Sequence, residues 1–225
     1  LRVADHHDEP HAPAGSGPRR RTLLAAAVLA PFTAVGCSAQ DPPTAAGHGP
    51  RPAAKDALVM VIRNAEQPFA GDTGEDAEGN EDPGALAGRG RRRAAELHLL
   101  FPPAGGSTLP RPAVVFATGG PAGAPARCRR TVEPLAAALH TRLRGEFAVG
   151  AEAALARAVL AAPMPVLVCW EHTGVPRLIH ALGADRVIGV PAVWPDRHDL
   201  VWTFTRREGR WSFRELPQHL LPGDA

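Results

Sequence analysis

Leu58-Val59-Met60-Val61-Ile62-Arg63-Asn64-Ala65-Glu66 decides how this chain is read. Five apolar residues in a row, two of them Val and one Ile, predict a strand buried on both faces. The run breaks at once into Arg-Asn-Ala-Glu, so the first residues past the strand end are polar. In open α/β sheets ligands sit beyond the carboxyl ends of the strands. Arg63 there is a fixed cation whose planar fork suits phosphate or carboxylate.

Two more runs have the same character. Ala113-Val114-Val115-Phe116-Ala117 leads into Thr118-Gly119-Gly120-Pro121, which reads as a flexible loop, and Pro165-Val166-Leu167-Val168-Cys169-Trp170 leads into Glu171-His172-Thr173-Gly174. Between and after them, apolar spacing predicts helices over 86–101, 131–140, 152–161 and 175–182, the last closed by Gly183. Arg89 and Arg91 to Arg93 read as the solvated side of the first helix. Leu200–Thr205 and Trp211–Leu216 flank Arg207-Glu208-Gly209-Arg210, a hairpin suited to a sheet edge. Strands alternating with helices give an α/β fold, a three-layer sandwich with a mainly parallel sheet, helices on both faces and the C-terminal hairpin at the edge.

A chain of 225 residues, 44% hydrophobic and 21% charged with a formal net charge of +2, has room for one domain and a real core. So small a charge leaves no nucleic-acid footprint. The fold is expected over 56–225. Ahead of it, 1–18 is rich in His, Pro, Asp and Gly without apolar periodicity and reads as disordered. Arg19-Arg20-Arg21-Thr22-Leu23-Leu24 sets a basic cluster before an apolar run ending at Gly36-Cys37, the pattern of an export signal. The arginine pair resembles a twin-arginine signal, and Ala34-Val35-Gly36-Cys37 resembles a lipobox whose cysteine becomes lipidated. Residues 1–37 therefore read as leader, Cys37 as lipidation site and 38–55 as a Pro/Gly tether. That places the domain on the outer side of the cytoplasmic membrane, held by a lipid anchor. Cys128 and Cys169 either pair or stay as buried thiols. The acidic loop 67–84 puts its glycine out of place for a calcium loop, and no metal-ligand spacing occurs, so neither metal nor cofactor is expected.

If the three strands are parallel neighbours, Arg63 and Asn64, Arg127, and Glu171 and His172 converge on one crevice, suited to phosphate or carboxylate. In this setting four stretches resemble the histidine phosphatase superfamily, also called phosphoglycerate-mutase-like. Val61-Ile62-Arg63-Asn64-Ala65-Glu66 stands where that family has Arg-His-Gly or Arg-His-Ala. Gly90-Arg91-Arg92-Arg93-Ala94 resembles its Gly-Arg-x-Arg-Ala helix, and Arg127 with Thr131-Val132-Glu133-Pro134-Leu135-Ala136 its next arginine motif. Val166 to His172 resembles the strand leading to its second histidine.

The resemblance implies a phosphate pocket of Arg63, Arg127 and His172, with Asn64 where the nucleophilic histidine belongs. An amide nitrogen has its lone pair delocalised into the carbonyl, so Asn64 can hydrogen-bond a phosphate oxygen but cannot carry a phosphoryl group. Glu171, with Glu66 next, is the nearest candidate for a general acid. The expected function is a catalytically silent domain that keeps a pocket for a phosphorylated small molecule or another anion. Two alternatives stay open at this point: a phosphomonoesterase using His172 or another histidine as nucleophile, and an exported scaffold with no ligand.

Overall fold

The computed structural model describes residues 55–69, 80, 82, 84–102, 109–120 and 126–225. The leader, Cys37 and all of the tether but Lys55 lie outside these residues, as does most of the acidic loop. Among the described residues no helix is long and apolar enough to cross a membrane.

The chain builds β1 (Ala57–Arg63), α1 (Gly88–Glu96) with a 3-10 turn over Leu97–Leu100, β2 (Val114–Thr118) and α2 (Arg127–Ala138). It continues as β3 (Arg142–Phe147), α3 (Glu152–Ala161), β4 (Val166–Trp170), α4 (Val175–Leu182), β5 (Leu200–Arg207) and β6 (Arg210–Pro217). The six strands form one sheet in the order β3-β2-β4-β1-β5-β6. β1 to β4 run parallel to one another, and β5 runs against both β1 and β6. This is the α/β sandwich with an edge hairpin that the alternation of elements predicts.

The apolar runs become the middle of the sheet because each strand buries both faces. Val59 and Val61 of β1 pack with Val166 and Val168 of β4 and Phe116 of β2 against Leu155, Val159, Val175 and Leu178 of α3 and α4. Met60 and Ile62 face the other way, with Val115, Leu167 and Cys169, against Val132 and Leu135 of α2 and Leu97. The two cores follow from a pleat of period two. Each such buried aliphatic side chain contributes about 1.5–3 kcal/mol of transfer free energy.

Four details differ from the sequence expectation. The helix expected over 131–140 begins four residues earlier, at Arg127, and ends at Ala138; His140 has left the helix with φ 47°. The helix expected over 86–101 tightens into the 3-10 turn after Glu96. A sixth strand, β3, lies at the sheet edge, with Arg142 facing Val114 and Phe147 facing Thr118. Between those pairs, β3 advances three residues from Arg144 while β2 advances two from Phe116, a bulge that turns the strand over. Leu143 then joins one core and Phe147 the other, so the polar-apolar alternation that would announce a strand is broken. Finally, Gly119 is fixed rather than loose. Its N–H donates to the Phe147 carbonyl at 2.6 Å, and a Cβ there would lie 1.7 Å from the Gly145 carbonyl oxygen. Only glycine lets β3 approach so closely.

Candidate anion site at the ends of the parallel strands

Arg63 closes β1 beside Trp170, the last residue of β4, and β2 ends next to β4 with Ala117 facing Cys169. Three carboxyl ends therefore meet. The first turn of α2 ties them together. The Ala65 N–H donates to Thr131 Oγ1 at 2.8 Å, and that hydroxyl donates to the Arg127 carbonyl at 2.8 Å. Cys128 Sγ lies 3.8 Å from Glu171 Oε1. The first turn of α2, with the half-buried Arg127 at its start, is thus joined to the end of β1 through Thr131 and to the end of β4 through Cys128. Glu171 is half-buried and His172 exposed.

The turn after β4 is held from behind. Glu152, 3% exposed, accepts hydrogen bonds from Trp170 Nε1 at 3.2 Å, the Gly150 N–H at 3.1 Å and Arg177 Nη2 at 3.0 Å. A Cβ on Gly174 would sit 2.6 Å from Trp170 Nε1 and 2.8 Å from Glu152 Oε1, so the His172-Thr173-Gly174 turn closes onto this pair. Burial pushes the Glu152 carboxyl upward, but the Arg177 hydrogen bond and backbone donors outweigh it and hold the group ionised.

Arg63 is the unusual member. Its side chain is 5% exposed, and among the described residues its Nε is sealed from solvent without a partner and its one ion pair is a 3.4 Å contact with Asp196, a carboxylate fully in water. A buried guanidinium so poorly matched is costly unless an anion completes it. Asn64 is 1% exposed and its Nδ2 donates to the Ala65 carbonyl at 3.0 Å. One amide hydrogen is thereby turned to the chain itself.

Two residues here gave no signal as site residues in the sequence: Asp196, on Arg63, and His198, whose Nδ1 lies 2.7 Å from the Asn64 carbonyl oxygen. A carbonyl only accepts, so Nδ1 carries the hydrogen. Burial, and then the Arg63 charge, lower the pKa of His198 against the opposing pull of the Asn64 bond. Both residues immediately precede β5. Because β5 runs against β1, whatever precedes it arrives beside whatever follows β1, and that topological rule is the signal that could have found them.

Glu66 is bound elsewhere. Arg93 of α1, 2% exposed rather than solvated, donates to Glu66 Oε1 at 2.8 Å and Oε2 at 3.0 Å, to Asp224 at 2.7 and 2.9 Å, and to Gln218 Oε1 at 3.1 Å. Arg89 adds 3.0 Å to Glu66 and 2.7 Å to Asp224. Burial raises the Glu66 carboxyl, but the Arg93 hydrogen bond and charge together with a backbone hydrogen bond outweigh it, and the net shift is downward. That is a poor setting for a general acid at neutral pH, which leaves Glu171 as the nearer candidate. α1 approaches so closely that a Cβ on Gly90 would lie 2.2 Å from the Glu66 carbonyl oxygen. Among the described residues, no group of His, Cys, Asp and Glu could hold a metal ion, and Cys128 and Cys169 are free thiols, both buried.

No protein-family model and no curated protein matches the chain. Solved structures do. One is a candidate phosphohistidine phosphatase SixA from Nakamurella multipartitia, at 14% identity and TM-score 0.45, covering 75% of this chain and 99% of that one. A second is a mycobacterial glucosyl-3-phosphoglycerate phosphatase, at 10% identity and TM-score 0.45, covering 74% of this chain and 100% of that one. A third is a histidine-to-alanine mutant of phosphoserine phosphatase from Entamoeba histolytica in complex with phosphoserine, at 11% identity and TM-score 0.45, covering 73% and 100%. At these identities the likeness is one of chain path.

Proposed function

We propose that residues 56–225 form a domain of the histidine phosphatase superfamily that binds a phosphorylated small molecule or similar oxyanion at Arg63, Arg127 and His172, and does not turn it over through position 64. The observation that carries this is the buried guanidinium of Arg63, which among the described residues has a sealed, partnerless Nε and a single long contact to a solvent-immersed carboxylate. An oxyanion supplies the acceptors that site lacks. The sequence of motifs supports the family, and Asn64 supports silence. Enzymatic acceleration of phosphate-monoester hydrolysis can reach ~10²¹. A hydrolase stripped of its nucleophile keeps about 10³–10⁴ over water. For such a substrate that remnant is no activity in practice.

The test is calorimetry with inorganic phosphate and vanadate, alongside turnover of an aryl phosphate. Saturable binding without turnover is expected, with turnover appearing in Asn64→His. Metal-independent turnover by the unaltered chain overturns the silent reading, and absence of binding favours the scaffold. A second reading, turnover through a displaced nucleophile, has one observation behind it: His198 is held beside Asn64 in the tautomer that leaves Nε2 with its lone pair. A phosphohistidine trapped by rapid denaturation of the same reaction decides for it.

For location, the proposal is an exported domain tethered through a lipidated Cys37. The basic cluster and apolar run at 19–36 support it. A Cys37→Ser chain is expected to leave the membrane fraction, and its retention there argues against the anchor.

A further inference from the structure

We propose that His198 is a further anion-contacting residue of this pocket, its Nε2 joining Arg63 on a bound tetrahedral oxyanion. The inference rests on the anion-pocket reading and adds a proton to it. Nδ1 is committed to the Asn64 carbonyl at 2.7 Å, so its hydrogen stays in place whether the ring is neutral or charged. Any proton gained goes to Nε2, which has no hydrogen-bond partner among the described residues while the ring itself is half-buried. An imidazole fixed at one nitrogen and open at the other can present N–H to an anion at the cost of one proton.

The surrounding charges decide when that proton is taken. From the end of β1 comes Arg63; from the loop after it, Glu66; from α1, Arg93. On its own segment His198 has Asp196, Arg197 and Asp199 as neighbours. Glu66 and Arg93 are bonded to each other at 2.8 Å, and Arg197 and Asp199 at 2.7 Å, so each pair largely cancels. What remains is Arg63, whose counter-charge Asp196 stands in water at 3.4 Å. Burial first, and then the Arg63 charge, hold the His198 pKa below its ordinary value against the pull of the Asn64 bond. A dianion on Arg63 reverses the local field and favours the imidazolium. Anion binding and proton uptake then strengthen each other, and by linkage affinity rises as pH falls through the imidazole range.

The probe is inorganic sulfate, because its charge is constant over that range whereas phosphate titrates within it. Calorimetry on the full chain between about pH 8 and 5.5, in buffers of differing ionisation enthalpy, reads both affinity and protons taken up. We expect about a tenfold gain in sulfate affinity on acidification, within the range usual for coupled sites, and net uptake of protons on binding. His198→Asn keeps an N–H for the Asn64 carbonyl but has no proton to gain, so it is expected to bind sulfate without the pH slope. A merely structural His198 would leave that slope in place. His180→Asn, at a surface histidine of α4 paired with Asp185 outside the pocket, is expected to retain it. Sulfate binding that is flat with pH in the unaltered chain, or a slope that survives His198→Asn, overturns the role of His198 and leaves the pocket standing. No sulfate binding at any pH overturns both.

Discussion

Replacing Arg93 by alanine is expected to cost about 3–5 kcal/mol of folding stability, read as the shift in urea midpoint or Tm. The guanidinium is 2% exposed and the Asp224 carboxylate 1%, so removing the cation strips the buried Asp224 of its buried charge partner and leaves it with the half-exposed Arg89. Glu66 loses its bidentate partner at the same stroke and keeps only the half-exposed Arg89. Lysine in place of Arg93 is not an adequate substitute, because one ammonium cannot reach two carboxylates and Gln218 in the plane that the fork occupies. The same network sets the acid limit of the fold. Asp224 is held far below its ordinary value of 3.8 and Glu66 below its 4.5, chiefly by Arg93 acting against burial. A carboxyl whose folded pKa is depressed contributes stability that is complete above its unfolded value and lost as pH falls through the folded one. Stability is therefore expected to be level above about pH 5 and to decline steadily below 4.5. In Arg93→Ala that acid slope flattens. A variant with unchanged midpoint and unchanged slope would show that the network carries no weight.

Arg63 predicts the opposite combination. Arg63→Met is expected to weaken phosphate or sulfate binding by roughly thirty-fold to several-thousand-fold, the range that follows from about 2–5 kcal/mol for a buried charged partner. The empty protein is expected to become more stable, by about 1–4 kcal/mol, because a poorly paired buried cation gives way to an apolar side chain of similar length. The Asp196 left behind is already in water and incurs no penalty. Binding titrations and thermal unfolding of the same preparation check both signs. A drop in Tm for Arg63→Met would mean that the guanidinium supports the fold, and the case for a ligand at that position would go with it.

The parts of this fold that were legible in the sequence are those that obey a local rule. β1, β2 and β4 are continuous apolar runs because both faces are covered, and Glu152–Ala161 and Val175–Leu182 fall where their apolar spacing puts them. The positions of Arg63, Asn64 and His172 at strand ends followed from the same runs, whereas Arg127 stands in the first turn of a helix expected to begin only at Thr131. β3 escaped because a bulge at an edge strand destroys the alternation by which strands are recognised. Asp196 and His198 escaped because they lie just ahead of β5, the one strand that reverses direction. Arg93 was misread as solvated because the acceptor that buries it, Asp224, is 131 residues away, and no window along the chain relates the two.

The open margin of the sheet at β3 has a consequence for solution behaviour. Among the described residues no strand pairs with its outer side, where the backbone groups of a six-residue strand can template a second chain. What stands guard is charge. Arg142 is exposed there, and Arg144 lies across the Phe116 ring with its head turned to Glu146. Two like cations on a short, kinked strand make head-on stacking of identical copies unfavourable. The arginine pair thus works as a gatekeeper against fibrillar growth, and concentrated salt, by screening it, is the condition under which this protein would be most exposed to self-association.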